Sequence, residues 1–257
     1  MGETGSKSTV GDRVSGGSGG GVKGREGEMN GWMKGGAGMV LALVGAGCVL
    51  PVEVRIDDGV WGEIRGNGRV VFETRTLPPF DGIVANGGIR VVVERTGREE
   101  VSIEAEENLI PYLEAEVRGG ILHVGPVPGA RLSPRRDVVF RVESWKVVEV
   151  EAAGASLVDV EVGRVAELWA TASGASSLTL WGDAGIQHLT LSGASRYDAL
   201  DLRSRRTDAR LSGASQAWVS VTDRLEAEAT GASHVRFRGN PWVSAHVSGA
   251  SSVGPYQ

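Results

Sequence analysis

Through the second half of the chain, apolar and polar residues alternate with a period of two, the pattern of strands with one buried face. The alternation is registered on a recurring tripeptide. Gly-Ala-Ser begins at Gly154, Gly174, Gly193, Gly213, Gly231 and Gly249, at intervals of 20, 19, 20, 18 and 18 residues. Two positions before each glycine stand Ala152, Ala172, Leu191, Leu211, Ala229 and Val247; four before stand Val150, Ala170, Leu189, Ala209, Ala227 and Ala245. The column six before reads Val148, Leu168, Gln187, Thr207, Leu225 and Val243. Beyond the tripeptide, Val158, Leu178, Tyr197, Ala217, Val235 and Val253 form one column, and Val160, Leu180, Ala199, Val219 and Phe237 another. These columns are mostly apolar and the positions between them mostly polar, so they predict the inward side of stacked strands.

A repeat of about 19 residues holds two or three short strands with corners between them and is too short for a helix–turn–helix unit. One such rung cannot bury its apolar face, whereas stacked rungs bury it continuously. At about 4.8 Å per rung, the five intervals give a repeat core roughly 24 Å long. Secondary turns fall at Gly163, Gly182, Asp223 and Gly239-Asn240-Pro241. The expected fold is therefore all-β, a β-solenoid occupying residues 52–257 as a single domain.

If the alternation runs unbroken through the tripeptide, the glycines and the serines Ser156, Ser176, Ser195, Ser215, Ser233 and Ser251 face inward, and the alanines between them face out. A glycine column suits a crowded corner or a positive φ. A serine column suits hydroxyls bonded to corner backbone groups, because a buried hydroxyl needs a partner. Two readings stay open for the outer strip of Ser, Thr and Ala: small residues that a tight corner tolerates, or a flat surface that docks on a partner.

Composition shapes the remainder. Net charge is −5, which argues against a nucleic-acid partner. Cys48 is the one cysteine, so neither an internal disulfide nor a multi-cysteine metal site is expected. His123, His188, His234 and His246 form no metal-ligand spacing, and no cofactor or metal is expected. Residues 1–38 are rich in Gly, Ser and charge and read as a disordered leader, or as sequence upstream of a true start at Met29, Met33 or Met39. Met39 to Gly47 is a short apolar run behind Lys34, ending in small residues at Cys48. That is the order of an export signal, and the run is too short to span a bilayer comfortably. Small residues before a lone cysteine resemble a bacterial lipoprotein box, with Gly45 standing where that pattern prefers Leu. Lipidation of Cys48 and an ordinary export signal are the two readings of residues 39–48.

Strand-like alternation also precedes the repeats, at 89–94 and 101–105. Pro79-Phe-Asp-Gly-Ile83, Ile89-Arg-Val-Val-Val93, Ala105-Glu-Glu-Asn-Leu109, Leu113-Glu-Ala-Glu-Val117 and Gly120-Ile-Leu-His-Val124, followed by the Gly-Ala-Ser rungs, resemble the auto-transporter adhesin head (GIN) domain family over about residues 70–257. The resemblance implies a right-handed parallel β-helix, exported to the bacterial cell envelope as a lipoprotein or periplasmic protein, with an adhesin-like role. It brings no catalytic residues.

Parallel β-helices also host polysaccharide-processing enzymes, whose sites need clustered acids with Arg or Lys. The densest candidates, Arg135-Arg136-Asp137 and Arg203 to Asp208, read as solvated loops, and Glu104, Glu106 and Glu107 read as a charged turn before Asn108. Trp169, Trp181 and Trp218 fall at outward positions, where indoles pack across rungs or stack on sugars. Three functions follow. The first is a non-catalytic surface module binding a carbohydrate or protein. The second is a scaffold or homo-oligomer stacking end to end, since the sequence after the sixth tripeptide leaves little for a cap. The third is a glycan-processing enzyme.

Overall fold

The computed structural model describes residues 62–257. The leader 1–38, the segment 39–48 with Cys48, and Trp61 lie outside the described residues. The described chain is almost wholly β. Its first part contains β1 (Ile64–Arg65), β2 (Val70–Thr76), β3 (Gly82–Ala85), β4 (Arg90–Arg95) and β5 (Glu100–Glu106). One 3-10 turn (Ile110–Tyr112) follows, then β6 (Leu113–Arg118), β7 (Ile121–Pro126), β8 (Leu132–Ser133), β9 (Val139–Ser144) and β10 (Glu149–Ala152). The rungs are β11 (Leu157–Ala172), β12 (Ser177–Leu191), β13 (Arg196–Leu211), β14 (Gln216–Ala229), β15 (His234–Arg238), β16 (Trp242–Val247) and β17 (Ser252–Pro255).

These strands stack as a parallel β-solenoid. Ala152, Ala172, Leu191, Leu211, Ala229 and Val247 lie side by side across β10, β11, β12, β13, β14 and β16. The rung length of the sequence repeat is thus the register of the ladder. Each long strand changes register midway, at Glu161/Gly163 in β11 and between Thr179 and Gly182 in β12, where the chain turns from one face to the next. Val150, Ala170, Leu189, Ala209 and Ala227 are buried, as are Val158, Leu178, Tyr197, Ala217 and Val235. The inward columns follow the period-two alternation because a pleated strand turns alternate side chains to opposite faces.

Four particulars differ from the sequence reading. The glycines of the tripeptide do not face inward: Gly154, Gly174 and the rest sit exposed at the corner, with only the serine turned in. A left-handed residue breaks the alternation there, and Gly174 has φ +73. The corner ladder also begins a rung earlier than the tripeptides. Ala85 pairs with Ala152, and Gly87-Gly88 takes the corner place between β3 and β4. Before the rungs the stacking is not wholly parallel, because β6 pairs antiparallel with β7, and β5 pairs antiparallel with both β2 and β9. Finally, Glu104 and Glu106 belong to β5 rather than to a turn, and Arg203 to Asp208 lies within β13 rather than in a loop.

Among the described residues, the rungs enclose a polar cluster. The Gln187 amide donates to the Tyr197 hydroxyl, the Thr207 hydroxyl donates to Gln187 Oε1 at 3.1 Å, and Ser204 bonds Thr207 at 2.8 Å and the Ser220 carbonyl at 3.0 Å. Burial pushes the Tyr197 hydroxyl pKa up, so it stays protonated.

Candidate binding face

The corner column is built by the backbone. The Ala175 N–H donates to the Gly154 carbonyl at 2.8 Å, and Ala194, Ala214, Ala232 and Ala250 donate to Gly174, Gly193, Gly213 and Gly231 at 2.7 Å. A Cβ on Gly174 would lie 2.5 Å from the same Gly154 oxygen, so the position needs glycine for contact as well as for φ. Ser156 donates its hydroxyl to the Ala153 carbonyl at 2.9 Å, and Ser176, Ser195, Ser215 and Ser233 bond the carbonyls of Ser173, Ser192, Ser212 and Thr230 in the same way. Ser251 differs, because its Oγ accepts the Ser233 N–H at 3.1 Å. These contacts are internal to the corner and account for the tripeptide without a ligand.

Chemistry is concentrated on the face that precedes the corners. The register sets Glu149, Trp169, His188, Asp208, Glu226 and Ser244 on successive rungs, all turned outward. Beside them runs a second outward column of Glu167, Ile186, Arg206, Arg224 and Trp242. Trp169 stacks on His188 with ring centroids 4.0 Å apart. His188 Nδ1 lies 3.4 Å from an Asp208 oxygen, and Arg206 Nε donates to Asp208 at 2.8 Å. The Asp208 hydrogen bond and charge raise the Arg206 pKa further, so that guanidinium is always charged. Arg206 also reaches Glu226 at 3.5 Å, Arg224 donates to Glu226, and the Arg224 guanidinium sits 4.5 Å from the centre of the Trp242 ring. A continuous chain of contacts therefore links Trp169 to Trp242 across four rung steps, about 19 Å at about 4.8 Å each.

Both terminal indoles remain open, Trp169 being 52% and Trp242 58% exposed. An exposed indole supported from beneath offers an apolar plate, and the ion-paired side chains between the two offer donors and acceptors at fixed spacing. Of the outward tryptophans expected from the sequence, Trp181 and Trp218 lie half-buried, with Arg196 packed 4.2 Å from the Trp218 ring. Alternation alone did not place Trp242 at the far end of the strip. It follows the Gly239-Asn240-Pro241 turn, and its column becomes clear only from the pairing of Arg224 with Trp242.

Arg135-Arg136-Asp137 is an exposed loop beside a shallow depression lined by Arg90, Arg136, Arg141, Glu104 and Asp137 over Val92 and Val139. Glu104 is bound to Arg141 at 3.3 Å, and Arg90 turns to Asp159 at 3.0 Å. The described residues contain no group of three or more His, Cys, Asp and Glu able to hold a metal ion, and no helix long and apolar enough to cross a membrane.

Residues 79–241 match the model of the family described as "Putative auto-transporter adhesin, head GIN domain". The chain belongs to this family. The GIN-domain match begins at the corner ladder's first strands and ends just before β16. Among solved structures, one described as a putative adhesin from Bacteroides fragilis is similar with a TM-score of 0.64 and 15% identity, over 75% of this chain and all of the other. A structure described as a putative adhesin from Parabacteroides merdae shares 20% identity at a TM-score of 0.49, covering 76% of this chain and 99% of its own. One from Parabacteroides distasonis, described as a putative lipid binding protein, shares 16% identity at 0.49, covering 76% and 100%. No curated protein matches the chain.

Proposed function

We propose that this GIN-domain protein is an exported, non-catalytic adhesin-like module that binds an extended polar polymer, a polysaccharide of the cell envelope or of a neighbouring surface. The contact surface is the strip between Trp169 and Trp242. The supporting observation is the half-exposed Trp169 stacked on His188 and linked through Asp208, Arg206, Glu226 and Arg224 to a second open indole about 19 Å along the stack. A linear glycan lying along the solenoid axis would stack a ring at each end and hydrogen-bond between them. In a fluorescence titration against a panel of polysaccharides, Trp169→Ala and Trp242→Ala should each weaken binding at least tenfold, as expected when a stacking contact of about 1.4 kcal/mol or more is lost. Trp145→Ala, outside both columns of the strip, should leave binding unchanged. Equal binding by all three variants sinks the reading, and release of reducing ends from the same panel would favour the enzyme instead. Attachment through a lipidated Cys48 rests on the apolar run Met39–Gly47, and loss of membrane partition in Cys48→Ala tests it.

A further inference from the structure

Trp169 differs from other aromatic residues of the rungs in what lies against it. The Arg224 guanidinium sits 4.5 Å from the centre of the Trp242 ring, Arg196 4.2 Å from that of Trp218 and Arg238 5.8 Å from that of Tyr256. A ring's π-face attracts cations, and at these rings the chain supplies its own. For Trp242 the cation comes from the paired position on the preceding rung, Arg224. The same position before Trp169 is held by Glu149. Where Trp242 has a guanidinium, Trp169 has a carboxylate.

His188, on the following rung, covers one face of the Trp169 indole at 4.0 Å between centroids. The other face looks along the stack toward Glu149, one strand spacing of about 4.8 Å away. Glu167 stands two residues before Trp169 on the same outward side, about 7 Å along β11. Both carboxylates are exposed, and neither they nor the half-buried Glu151 enters an ion pair among the described residues. Farther along the strip, Asp208 and Glu226 are both paired with arginines. The strip therefore has a direction. One end sets unpaired negative charge beside an open ring, and the other carries a ring that already holds a guanidinium.

Resting on the polysaccharide assignment of this strip, we propose that the polymer is built of amino sugars with free, protonated amines, and that an ammonium group is held at the Trp169 end, between the open indole face and the carboxylates of Glu149 and Glu167. A hexosamine ring meets both demands together. Its C–H face lies on the indole, and its amine projects from the ring edge toward the carboxylates. N-acetylation removes that charge, and a neutral hexose has no cation to offer. A uronate or phosphate polymer is repelled at the same place. A lysine side chain brings the cation without the ring face that the open indole accepts.

Titration of the full chain with oligo-glucosamine and with its N-acetylated counterpart, in a weakly acidic buffer that keeps the amines charged, tests this. The free amine should bind about tenfold tighter, the combined effect of a cation–π contact and exposed ion pairs. The margin should shrink as salt is raised. Glu149→Gln together with Glu167→Gln should abolish the margin and leave binding of the N-acetylated oligomer unchanged. Glu149→Arg, which gives Trp169 the cation that Trp242 already has, should abolish it too and provides a second variant if the first folds poorly. A margin kept in both variants overturns the proposal. Equal affinity for the two oligomers, with both lost in Trp169→Ala, overturns it and leaves the polysaccharide assignment standing. Failure of every oligosaccharide to bind overturns both. An equally tight complex with a lysine oligomer, lost in the same Glu variants, would mark a cation site for a polypeptide and overturn the amino-sugar assignment.

Discussion

The two ends of the described stack are built differently. At the first end the parallel ladder gives way to antiparallel strands on both sheets, β6 on β7 and β2 on β5, and the edges carry charge. Beneath them Leu109 is wholly buried and Ile110 and Leu113 nearly so, closing the core under the 3-10 turn. Away from it the described ladder runs on to β16 and β17, where Val243, Ala245 and Val247 are exposed. The first end is covered by non-repeating strands of the same chain, whereas β16 and β17 keep the parallel pairing of the rungs. A repeat buries each rung between two neighbours, so its ends must be treated separately, and the sequence that does so is no longer repeat-like.

The largest way to break this comparison is to strike the corner ladder in the middle and at the edge. Gly213 has φ +77, and a Cβ there would lie 2.5 Å from the Gly193 oxygen; Gly249 has φ +72 and would meet the Gly231 oxygen at the same 2.5 Å. Local geometry is alike, but Gly213 is fixed from both sides and Gly249 from one. Gly213→Ala should cost about 3 kcal/mol, the sum of left-handed strain and a backbone displacement. Gly249→Ala should cost about 1 kcal/mol or less, because the last rung lifts away at little cost. Chemical denaturation of both variants measures the difference. Equal losses would mean that the last rung is held as firmly as the interior.

Much of this was legible in the sequence, for a physical reason. The spacing of the tripeptides is the register of the ladder, and the inward columns are simply what a pleat buries, so rung length and core followed from periodicity. Gln187, Thr207 and Tyr197 stood in those inward columns, and the structure brings them together as one hydrogen-bonded cluster. What periodicity could not show was any feature that leaves the repeat. The Gly87-Gly88 corner lacks the tripeptide, the antiparallel cap has no repeat partner, and the left-handed glycine shifts the parity that would have turned it inward. The binding strip was half legible: Trp169 stood outward by alternation, but its stack on His188 and its ion-paired path to Trp242 depend on which rungs neighbour each other.

A smaller effect separates the ends by acid. Glu106 is wholly buried in the cap, where a Cβ on Gly66 would collide with its carboxylate. Burial opposes its ionisation, but the Arg135 N–H at 2.7 Å, the Gly68 and Arg136 N–H groups and the Arg135 charge outweigh this and hold its pKa below the usual carboxylate range. With the folded pKa depressed, its contribution to the cap is complete above the unfolded value of about 4.3 and is lost as pH falls through the folded value. Hydrogen exchange should therefore show residues 64–68 and 132–136 opening in that acid window, before the Gly-Ala-Ser rungs. Glu106→Gln should open them at neutral pH, because its amide group turns N–H toward N–H, and trypsin should then cut faster after Arg135 or Arg136. The last described rung, which has no buried carboxylate among its residues, should keep the same protection factors at both pH values. A cap that stays closed in Glu106→Gln would show that the carboxylate is not its anchor.

The smallest effect on stability is the most informative about design. Arg118 is about half exposed and bonds Glu114 and Glu116 at the free edge of β6. Exposed pairs of this kind contribute about 0.5 kcal/mol each, so replacing all three residues by Ser should move the unfolding free energy by no more than about 1 kcal/mol. The same change removes the charge from the edge and gives it the neutral character of β16. If charge is what keeps the first end solitary, the triple variant should gain association that the native chain lacks, and light scattering should register a higher mass than for the native chain at the same high concentration. The residual Glu73–Arg75 pair on β2 still guards the other sheet, so the gain should be weak and confined to β6. If the triple variant associates no more than the native chain, antiparallel geometry and twist rather than charge close that end, and the contrast between the ends lies in shape.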